Sequence, residues 1–448
     1  MESAMEEYRF VRQRDSEQFN RFSLEQGGSV YQTSYWAEVK NAWEPYFYMG
    51  FRGETPVLAA LCLQRDVRVG KLWYCPDGFV CDLSDQSLVS AFCVFMKEEM
   101  KKHHICAMVT DPLIIEKING IEQDSSAVDT LLQGGFVKNK DKDFYVVQPA
   151  ITIISPLKDE TEASFLPKCE KGVRHGLKAA ADGLLYAESY DGTELARHPE
   201  KLDEFFEVMT ETSDRTAFIQ RDKQYYKTMI TALGRYGTMD FVYCDQKKRG
   251  EYCKKLSEEK KALQARLTEA ESEEKKNKKS ISEIKKELDS ISNILTRNQK
   301  ADQELKDAYG DCVPGKLCLA VAITSRFGKT AICLYGGTRN LLRNTLRPTH
   351  YLNWLRICKS MESGIEDHDL GRVTGDVFDE ANPLHGLAKY KMSYHGQVTE
   401  YVGDLYLICD RFRFMLFRKL LPSVKKIKTT LLRNLIKNRT VRRSKKEA

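Results

Sequence analysis

Two strand-like runs, Thr238-Met-Asp-Phe-Val-Tyr-Cys244 and Lys316-Leu-Cys-Leu-Ala-Val-Ala-Ile323, enclose a segment of very different composition at residues 246–307. This segment contains one aromatic residue, Tyr252, and no proline. Its apolar residues recur at spacings of three, four and seven, which is typical of a narrow stripe along an α-helix. They are Leu256, Leu263, Leu267 and Ala270, then Ile281, Ile284, Leu288, Ile291 and Leu295. The polar residues 273–280 separate the two stripes, so the pattern predicts an antiparallel helical hairpin.

The position of this hairpin defines the architecture, because strand-like sequence resumes directly after it. We therefore expect the hairpin to be inserted between two strands of one sheet, and we do not expect it to link two domains. Its charged surface has two interpretations, a solvated spacer and an arm that contacts a substrate. The sequence leaves both open.

Strands and helices alternate on both sides of the insertion. The patterns predict strands at residues 46–51, 57–63, 105–111, 144–148, 184–190 and 398–401, and helices at residues 88–102, 201–212, 223–233 and 348–363. The predicted fold class is therefore α/β (α+β), with two mixed-sheet units of similar size. We assign residues 1–150 to the first unit, residues 151–245 plus 308–405 to the second, residues 246–307 to the hairpin and residues 406–448 to a C-terminal tail.

The net positive charge is concentrated in this tail. The whole chain carries +6, but residues 411–448 contain 14 Lys and Arg against one acid, which leaves the remainder at −7. Apolar residues recur every three or four positions between the basic ones, which predicts a basic amphipathic helix. They are Leu416, Leu420, Val424, Ile427, Leu431 and Leu435. We expect the tail to bind the anionic inner face of a membrane; tRNA binding and a merely solubilising terminus are the alternatives.

Composition also predicts the compartment. Residues 1–15 carry acids and no apolar stretch of the kind found in a signal peptide. No apolar run approaches the roughly 18 to 20 residues that a membrane-spanning helix needs. The thirteen cysteines show no spacing typical of a metal site, so we expect free thiols, no metal, and a cytoplasmic protein that associates peripherally with the membrane.

Two nucleotide-type motifs are excluded. Residues 325–330 end in Gly-Lys-Thr, as a phosphate-binding loop does, but Ile323 stands where that loop requires a glycine. The glycine-rich signature that holds the pyrophosphate of acetyl-coenzyme A is also missing. The sequence therefore argues against an ATPase and against an ordinary acetyltransferase.

Several motifs together resemble one family. They lie at residues 31–40, 173–181, 213–221 with Tyr225, 334–337, 368–371 and 386–394. Their order and spacing, together with the inserted hairpin, resemble the Fem/Mur (FemABX) peptidoglycan cross-bridge transferases over residues 8–405. The resemblance implies two acetyltransferase-like domains, the second interrupted by a coiled-coil arm. It also implies aminoacyl-tRNA as donor, no further cofactor, and an amine on the stem peptide of a lipid-linked or nucleotide-linked muropeptide precursor as acceptor.

The resemblance also implies the catalytic group. Aminoacyl transfer from a tRNA ester to an amine passes through a tetrahedral oxyanion, which a positioned cation stabilises. Lys391 matches the lysine of the family motif and is the candidate for that cation; a surface lysine beside a strand is the alternative. No general base stands out. Asp111, at a strand end, is one candidate, and the phosphates or ribose of the substrates are the other.

Basic and aromatic residues in the same motifs are candidates for binding the precursor, whose pyrophosphate and carboxylates need cationic anchors. Lys40, on the helix after Trp36, and Arg215 match precursor-binding positions of the family, and Tyr335 is a candidate hydrogen-bond donor. Arg221 and Tyr225 are further candidates, with packing or ion pairing as the alternative.

The chain departs from the family pattern at two places. Tyr390-Lys-Met-Ser-Tyr-His395 lacks the two glycines of the family stretch, and Arg372 follows Gly371 where a small residue is usual. Two other functions therefore remain alternatives, namely another tRNA-dependent N-acyltransferase and a non-catalytic scaffold that binds membrane or RNA.

Overall fold

The computed structural model describes residues 8–140, 145–216, 218–272 and 278–420. Within these residues the chain forms one sheet of eight strands, a second sheet of nine strands, and a helical hairpin. The predicted fold class, mixed α/β with two sheets and an inserted hairpin, is confirmed.

The strands of the described residues are, in chain order, β1 (Tyr8–Arg12), β2 (Glu44–Arg52), β3 (Thr55–Val67), β4 (Gly70–Cys75), β5 (Val80–Cys81), β6 (Ile105–Thr110), β7 (Ile115–Ile118), β8 (Ile121–Glu122), β9 (Phe136–Lys138), β10 (Ile151–Pro156), β11 (Tyr186–Asp191), β12 (Gly237–Asp245), β13 (Lys316–Phe327), β14 (Thr330–Thr338), β15 (Asp367–Val373), β16 (Gln397–Tyr401) and β17 (Leu405–Ile408). The first sheet has the order β1-β2-β3-β4-β6-β17-β9, with β5 paired to β3. The second has the order β11-β12-β13-β14-β15-β10-β16-β7-β8.

The α-helices of the described residues are α1 (Ser16–Glu25), α2 (Ser34–Val39), α3 (Gln86–Lys102), α4 (Ala127–Gln133), α5 (Glu162–Phe165), α6 (Lys171–Asp182), α7 (Glu200–Thr216), α8 (Lys223–Leu233), α9 (Gln246–Ser272), α10 (Lys278–Tyr309), α11 (Pro348–Glu362) and α12 (His385–Met392). Residues 411–420 are also helical. Each sheet contains one parallel pair, β4 with β6 and β14 with β15, and a helix connects the two strands of each pair. Because a parallel pair requires such a crossover, α3 and α11 occupy equivalent places in the two halves.

The two sheets exchange strands. The hairpin β7–β8 comes from the first third of the chain, yet it extends the second sheet beside β16. In return β17, near the end of the described chain, enters the first sheet between β6 and β9. The expected division at residue 150 therefore does not assign every strand to the right sheet. Strands that pair across a long sequence separation leave no local signal in the sequence.

A shared apolar core holds the two halves together. It includes Phe19, Trp36 and Leu61 from the first half, and Phe205 and Phe241 from the second. Within this core α2 packs against α8. Burial of apolar surface stabilises such an arrangement by about 25 cal/mol per Å². The two halves of the chain are therefore packed against each other through a common core.

Buried polar contacts hold the base of the hairpin α9–α10 together and attach it to the end of α6. Arg249 donates to the backbone carbonyl of Asn298 at 3.1 Å, and the Asn298 side chain donates to the carbonyl of Asp182 at 2.8 Å. Farther out, the two helices share a small apolar core of Leu256, Leu263, Ile284 and Ile291. The predicted insertion between β12 and β13 and the predicted apolar stripes are confirmed.

Two local predictions differ from the structure. Residues 145–148 do not form the strand expected at 144–148, because the Val146 amide donates to the Asp404 carboxylate at 2.7 Å and not to a neighbouring strand. At residues 411–420 the buried side chains are Phe414 and Phe417, which pack beside Tyr406 on the first sheet, while Leu420 is exposed. The rest of the expected amphipathic tail, residues 421–448, lies outside the described residues.

None of the helices in the described ranges combines the length and the apolar character needed to cross a bilayer.

Candidate active site

A cluster of cations and aromatic rings lies where α2 meets α8. Thr33 caps α2 by accepting a hydrogen bond from the Trp36 amide at 3.2 Å, and Lys40 ends the helix. This places the Lys40 ammonium 4.7 Å from the centre of the Trp36 ring and 3.1 Å from the Tyr225 hydroxyl, to which it donates. The sequence predictions Lys40, Trp36 and Tyr225 are therefore brought together, from opposite halves of the chain.

Arg221 and Tyr335 complete this cluster. Asp222 caps α8 by accepting from the Tyr225 amide at 2.7 Å, so Arg221 stands just before the helix. The Arg221 guanidinium lies 5.2 Å from the centre of the Tyr225 ring, and, against the effect of burial, the nearby Tyr335 of β14 raises the pKa of Arg221. We call Lys40, Trp36, Arg221, Tyr225 and Tyr335 the cation cluster.

The two cations of the cation cluster have no carboxylate partner among the described residues. Burial, and then the positive charge of Arg221, lower the pKa of Lys40 to about 8. Two cations that face each other on aromatic rings are a natural binding place for an anion, because each anion contact relieves their repulsion.

Arg215 lies apart from this cluster. Its guanidinium donates to the carbonyl of Thr338 at 3.0 Å and to the side chain of Asn340 at 2.6 Å, at the far end of β14. The geometry therefore pairs Lys40 with Arg221, where the sequence paired it with Arg215. The role of Arg215 in binding stays a prediction that the geometry does not favour.

Lys391 is a half-buried residue in the last turn of α12, and not the surface lysine of the alternative interpretation. Its ammonium donates to the carbonyl of Gly371 at 2.8 Å. Gly371 has a φ of 101°, which favours glycine, and this conformation turns its carbonyl toward Lys391. Burial lowers the pKa of Lys391, and the nearby Asp369 carboxylate opposes that shift.

Charged side chains fill the space between the two sheets beside Lys391. Arg372, from β15, approaches the Asp77 carboxylate at 3.5 Å, donates to the Pro149 carbonyl at 3.2 Å and lies 4.7 Å from the centre of the Tyr401 ring. Burial lowers the pKa of Arg372, but Asp77 and then Asp369 outweigh burial and raise it. Arg372 therefore connects β15 to the turn after β4. The family pattern has a small residue at this position.

Asp111, the candidate base, is part of this charged region but both of its oxygens are occupied. One accepts from the Asp77 amide at 3.0 Å, and the other accepts from the Tyr74 hydroxyl at 2.9 Å. Burial, and then the negative charge of Asp77, raise the pKa of Asp111 well above its usual range. Asp111 and Arg372 also line a cavity of about 760 Å³ between the sheets. A catalytic role for Asp111 stays a prediction.

Tyr31 connects the cation cluster to this charged region, and the sequence analysis gave it no role. Its ring packs against Trp36 at a tilt of 47°, with 4.3 Å between the ring centres. Burial raises the pKa of Tyr31, and Asp77 and Asp369 add to that shift, so its hydroxyl lies near both carboxylates. The sequence indicated a role for Tyr31 only through its position in the family motif at residues 31–40. Tyr31 therefore lies between the cation cluster and the region of Asp369 and Lys391.

A cysteine beside Lys391, Cys333, lies in a buried contact with His368. Cys333 Sγ lies 3.2 Å from His368 Nε2, and the Ser360 hydroxyl lies 2.9 Å from His368 Nδ1. Burial raises the pKa of the Cys333 thiol and lowers that of His368. Since only a thiolate attacks esters efficiently, this pair is a neutral structural contact.

Comparison with known proteins gives concordant results. Two Staphylococcus aureus proteins, from strains USA300 and NCTC 8325, are each named lipid II:glycine glycyltransferase; each is 25% identical over 415 residues, which is 91% of this chain and 94% of the relative. The crystal structure of FemX has the same fold, with a TM-score of 0.72 at 23% identity over 91% of this chain and 99% of FemX. The model of the FemAB family matches residues 15–421, nearly the whole chain. With the shared fold and that match, the chain belongs to the FemAB family.

Proposed function

We propose that this protein transfers an aminoacyl group from aminoacyl-tRNA to an amine on the stem peptide of a lipid-linked muropeptide precursor, and so builds a peptidoglycan interpeptide bridge. The observation that carries the proposal is the cation cluster, in which Lys40 and Arg221 have no carboxylate partner among the described residues, with Tyr31 between it and the region of Asp369 and the half-buried Lys391. Membership of the FemAB family and relatives named for a transfer to lipid II support the same reaction.

The acceptor is bound through its phosphates. Lys40 and Arg221 provide a point charge and a planar guanidinium, which suit the two phosphates of a pyrophosphate. Tyr225 holds both cations, Lys40 through a hydrogen bond and Arg221 through a ring contact, so the site is organised before the ligand arrives. The stem peptide then extends past Tyr31 toward Lys391.

The chemical step is acyl transfer between two bound substrates. The tRNA ester is already activated, so the enzyme mainly aligns the amine with the ester carbonyl. Lys391 stabilises the oxyanion that develops on this carbonyl, because a cation in a partly buried site acts more strongly than one in water.

The direct test is to incubate the protein with charged tRNA and lipid-linked precursor and to determine the mass of the product. Glycyl-tRNA is the first donor to try, since the relatives are named for glycine. The expected product is the precursor extended by one or more aminoacyl residues. The same reaction is run with nucleotide-linked precursor. A precursor whose stem-peptide amine is acetylated is the control, since it has no free amine to accept the aminoacyl group. Absence of product with every charged tRNA would overturn the proposal.

The pH dependence of precursor binding is expected to follow Lys40. An anion binds the protonated lysine, so affinity is constant well below pH 8 and falls as pH rises through about 8, the pKa of Lys40. The dissociation constant for nucleotide-linked precursor, measured by calorimetry without tRNA, is expected to rise severalfold between pH 7 and pH 9. Lys40→Arg, which stays charged, is expected to remove this dependence. An unchanged pH profile in that variant would contradict the assignment.

The tail is expected to concentrate the enzyme at the inner face of the membrane. Removal of residues 421–448 deletes ten Lys and Arg and retains Phe414 and Phe417, which are buried on the first sheet. Near an anionic leaflet each basic residue contributes about 1 kcal/mol. The truncated protein should therefore lose most of its co-sedimentation with anionic vesicles and keep its activity on nucleotide-linked precursor.

Two controls sharpen this membrane experiment. Raised salt should weaken binding of the full chain, because screening limits each charge to about 8 Å at physiological ionic strength. A variant with Ile427→Ser and Leu431→Ser keeps the charge and should show intermediate binding. Equal sedimentation of the full and truncated chains would contradict membrane binding, and loss of tRNA binding on truncation would favour the RNA alternative.

A further inference from the structure

Asp369 lies near Lys391, and one of its oxygens accepts no hydrogen bond within the described residues. It stands on β15 with 7% of its surface exposed. Its Oδ1 atom accepts hydrogen bonds from the Thr152 hydroxyl and from the Gly371 amide, the latter at 2.7 Å. Its Oδ2 atom accepts none from the described part of the chain. The carboxylate is therefore held rigidly by one oxygen, and the other is left to bind a ligand.

The same glycine that orients Asp369 also orients Lys391. The Gly371 amide donates to Asp369, and the Gly371 carbonyl accepts from Lys391 at 2.8 Å. Asp369 raises the pKa of Lys391 against the effect of burial, but the two form no ion pair within 4 Å. A carboxylate and an ammonium that are close but unpaired can act on two different atoms of one reaction.

Asp369 also lies near the first half of the chain. After burial and Asp77, its negative charge contributes to the raised pKa of Tyr31, the residue that packs against Trp36. A precursor held by the cation cluster and extended past Tyr31 therefore brings its amine toward Asp369. The other carboxylates nearby are engaged, since Asp77 faces Arg372 and both oxygens of Asp111 accept hydrogen bonds.

We propose that Oδ2 of Asp369 binds the attacking amine of the acceptor and takes its proton, an inference that rests on the proposed function. The amine nitrogen forms a bond to the ester carbonyl carbon, and its proton moves to Asp369. The bond from that carbon to the ribose oxygen then breaks, and Asp369 returns the proton to that oxygen. The products are an amide and uncharged tRNA, and Asp369 is again a carboxylate.

The test compares Asp369→Asn with Asp367→Asn in single-turnover transfer from charged tRNA to lipid-linked precursor. Asparagine keeps an oxygen that accepts from Thr152 and Gly371 but is not a base. Asp367 stands two residues earlier on the same strand and serves as the matched control. We expect Asp369→Asn to react about 100-fold more slowly, as for loss of a general base, and Asp367→Asn to match the wild type. Thermal unfolding of all three proteins checks the fold.

Two further experiments distinguish proton transfer by Asp369 from a purely structural role of this residue. An acceptor analogue with an aminooxy group in place of the amine has a less basic nitrogen, whose adduct loses its N–H proton more readily without a base, so the Asp369→Asn defect should shrink to a few-fold. Added formate should restore part of the rate of Asp369→Gly and leave the wild type unchanged.

The outcomes are distinct. A wild-type rate for Asp369→Asn, or an equal defect with both acceptors and no rescue by formate, would overturn the role of Asp369 while the wild-type product sustains the proposed function. A wild type that forms no product with any charged tRNA would overturn both.

Discussion

Lys391→Ala is expected to lower the rate of aminoacyl transfer by about a hundredfold or more. Loss of one positioned donor to a developing oxyanion typically has an effect of this size, equivalent to about 3 kcal/mol. Lys391 is oriented for such a role by the Gly371 carbonyl at 2.8 Å and by the last turn of α12. Because the interaction strengthens in the transition state, the loss should fall on kcat, and the KM values for both substrates should change little.

A structural cause must be separated from this catalytic one, since Lys391 is half-buried. Lys391→Met keeps most of the side-chain volume and removes the charge, so it should be as inactive as Lys391→Ala and unfold near the wild-type temperature. Lys389→Ala removes an exposed lysine from the same helix and should retain activity. Near-normal kcat in Lys391→Met would remove the cation from the mechanism.

The sequence predicted the architecture well because its main signals are local. The hairpin was visible in the spacing of Leu256, Leu263, Ile284 and Ile291, which form its apolar core. The exchange of β7–β8 and β17 between the sheets was not visible. These strands pair with partners far away in the sequence, and a strand's own residues do not specify its neighbour.

The buried face of the helix at residues 411–420 was also not predictable from the sequence. Its sequence has apolar residues on more than one face, and the expected stripe began at Leu416 and Leu420. The first sheet instead receives Phe414 and Phe417, whose rings lie near Tyr406. Which face of a helix is buried depends on the surface that it meets, and periodicity alone does not contain that information.

The sequence supplied candidate site residues one by one but not their arrangement. Lys40 and Trp36 stand one helical turn apart, so their contact follows from the sequence. Which arginine, Arg215 or Arg221, lies beside Lys40 does not follow from the sequence, because it depends on where α7 ends and α8 begins. The capping residue Asp222 was the available signal, since it places Arg221 outside the helix and next to Tyr225.

Alanine variants of Lys40, Arg221 and Arg215 test which arginine binds the precursor together with Lys40. Lys40→Ala and Arg221→Ala are each expected to raise the KM for precursor about 10- to 100-fold, because a hydrogen bond to a charged group contributes about 1.5–3 kcal/mol. The KM for charged tRNA should stay within a few-fold of the wild-type value. Arg215→Ala is the matched control, since its guanidinium binds Thr338 and Asn340 and not the cluster.

The double variant shows whether Lys40 and Arg221 bind one ligand group. If both contact the same pyrophosphate, the two losses are coupled, and the effect of the double variant should differ from the sum of the single effects by about 0.5 kcal/mol or more. Their mutual repulsion in the free protein adds to this coupling, since Arg221 lowers the pKa of Lys40. Independent additive losses would place the two cations on separate parts of the precursor. A rise in the KM for charged tRNA, with that for precursor unchanged, would assign the cation cluster to the tRNA.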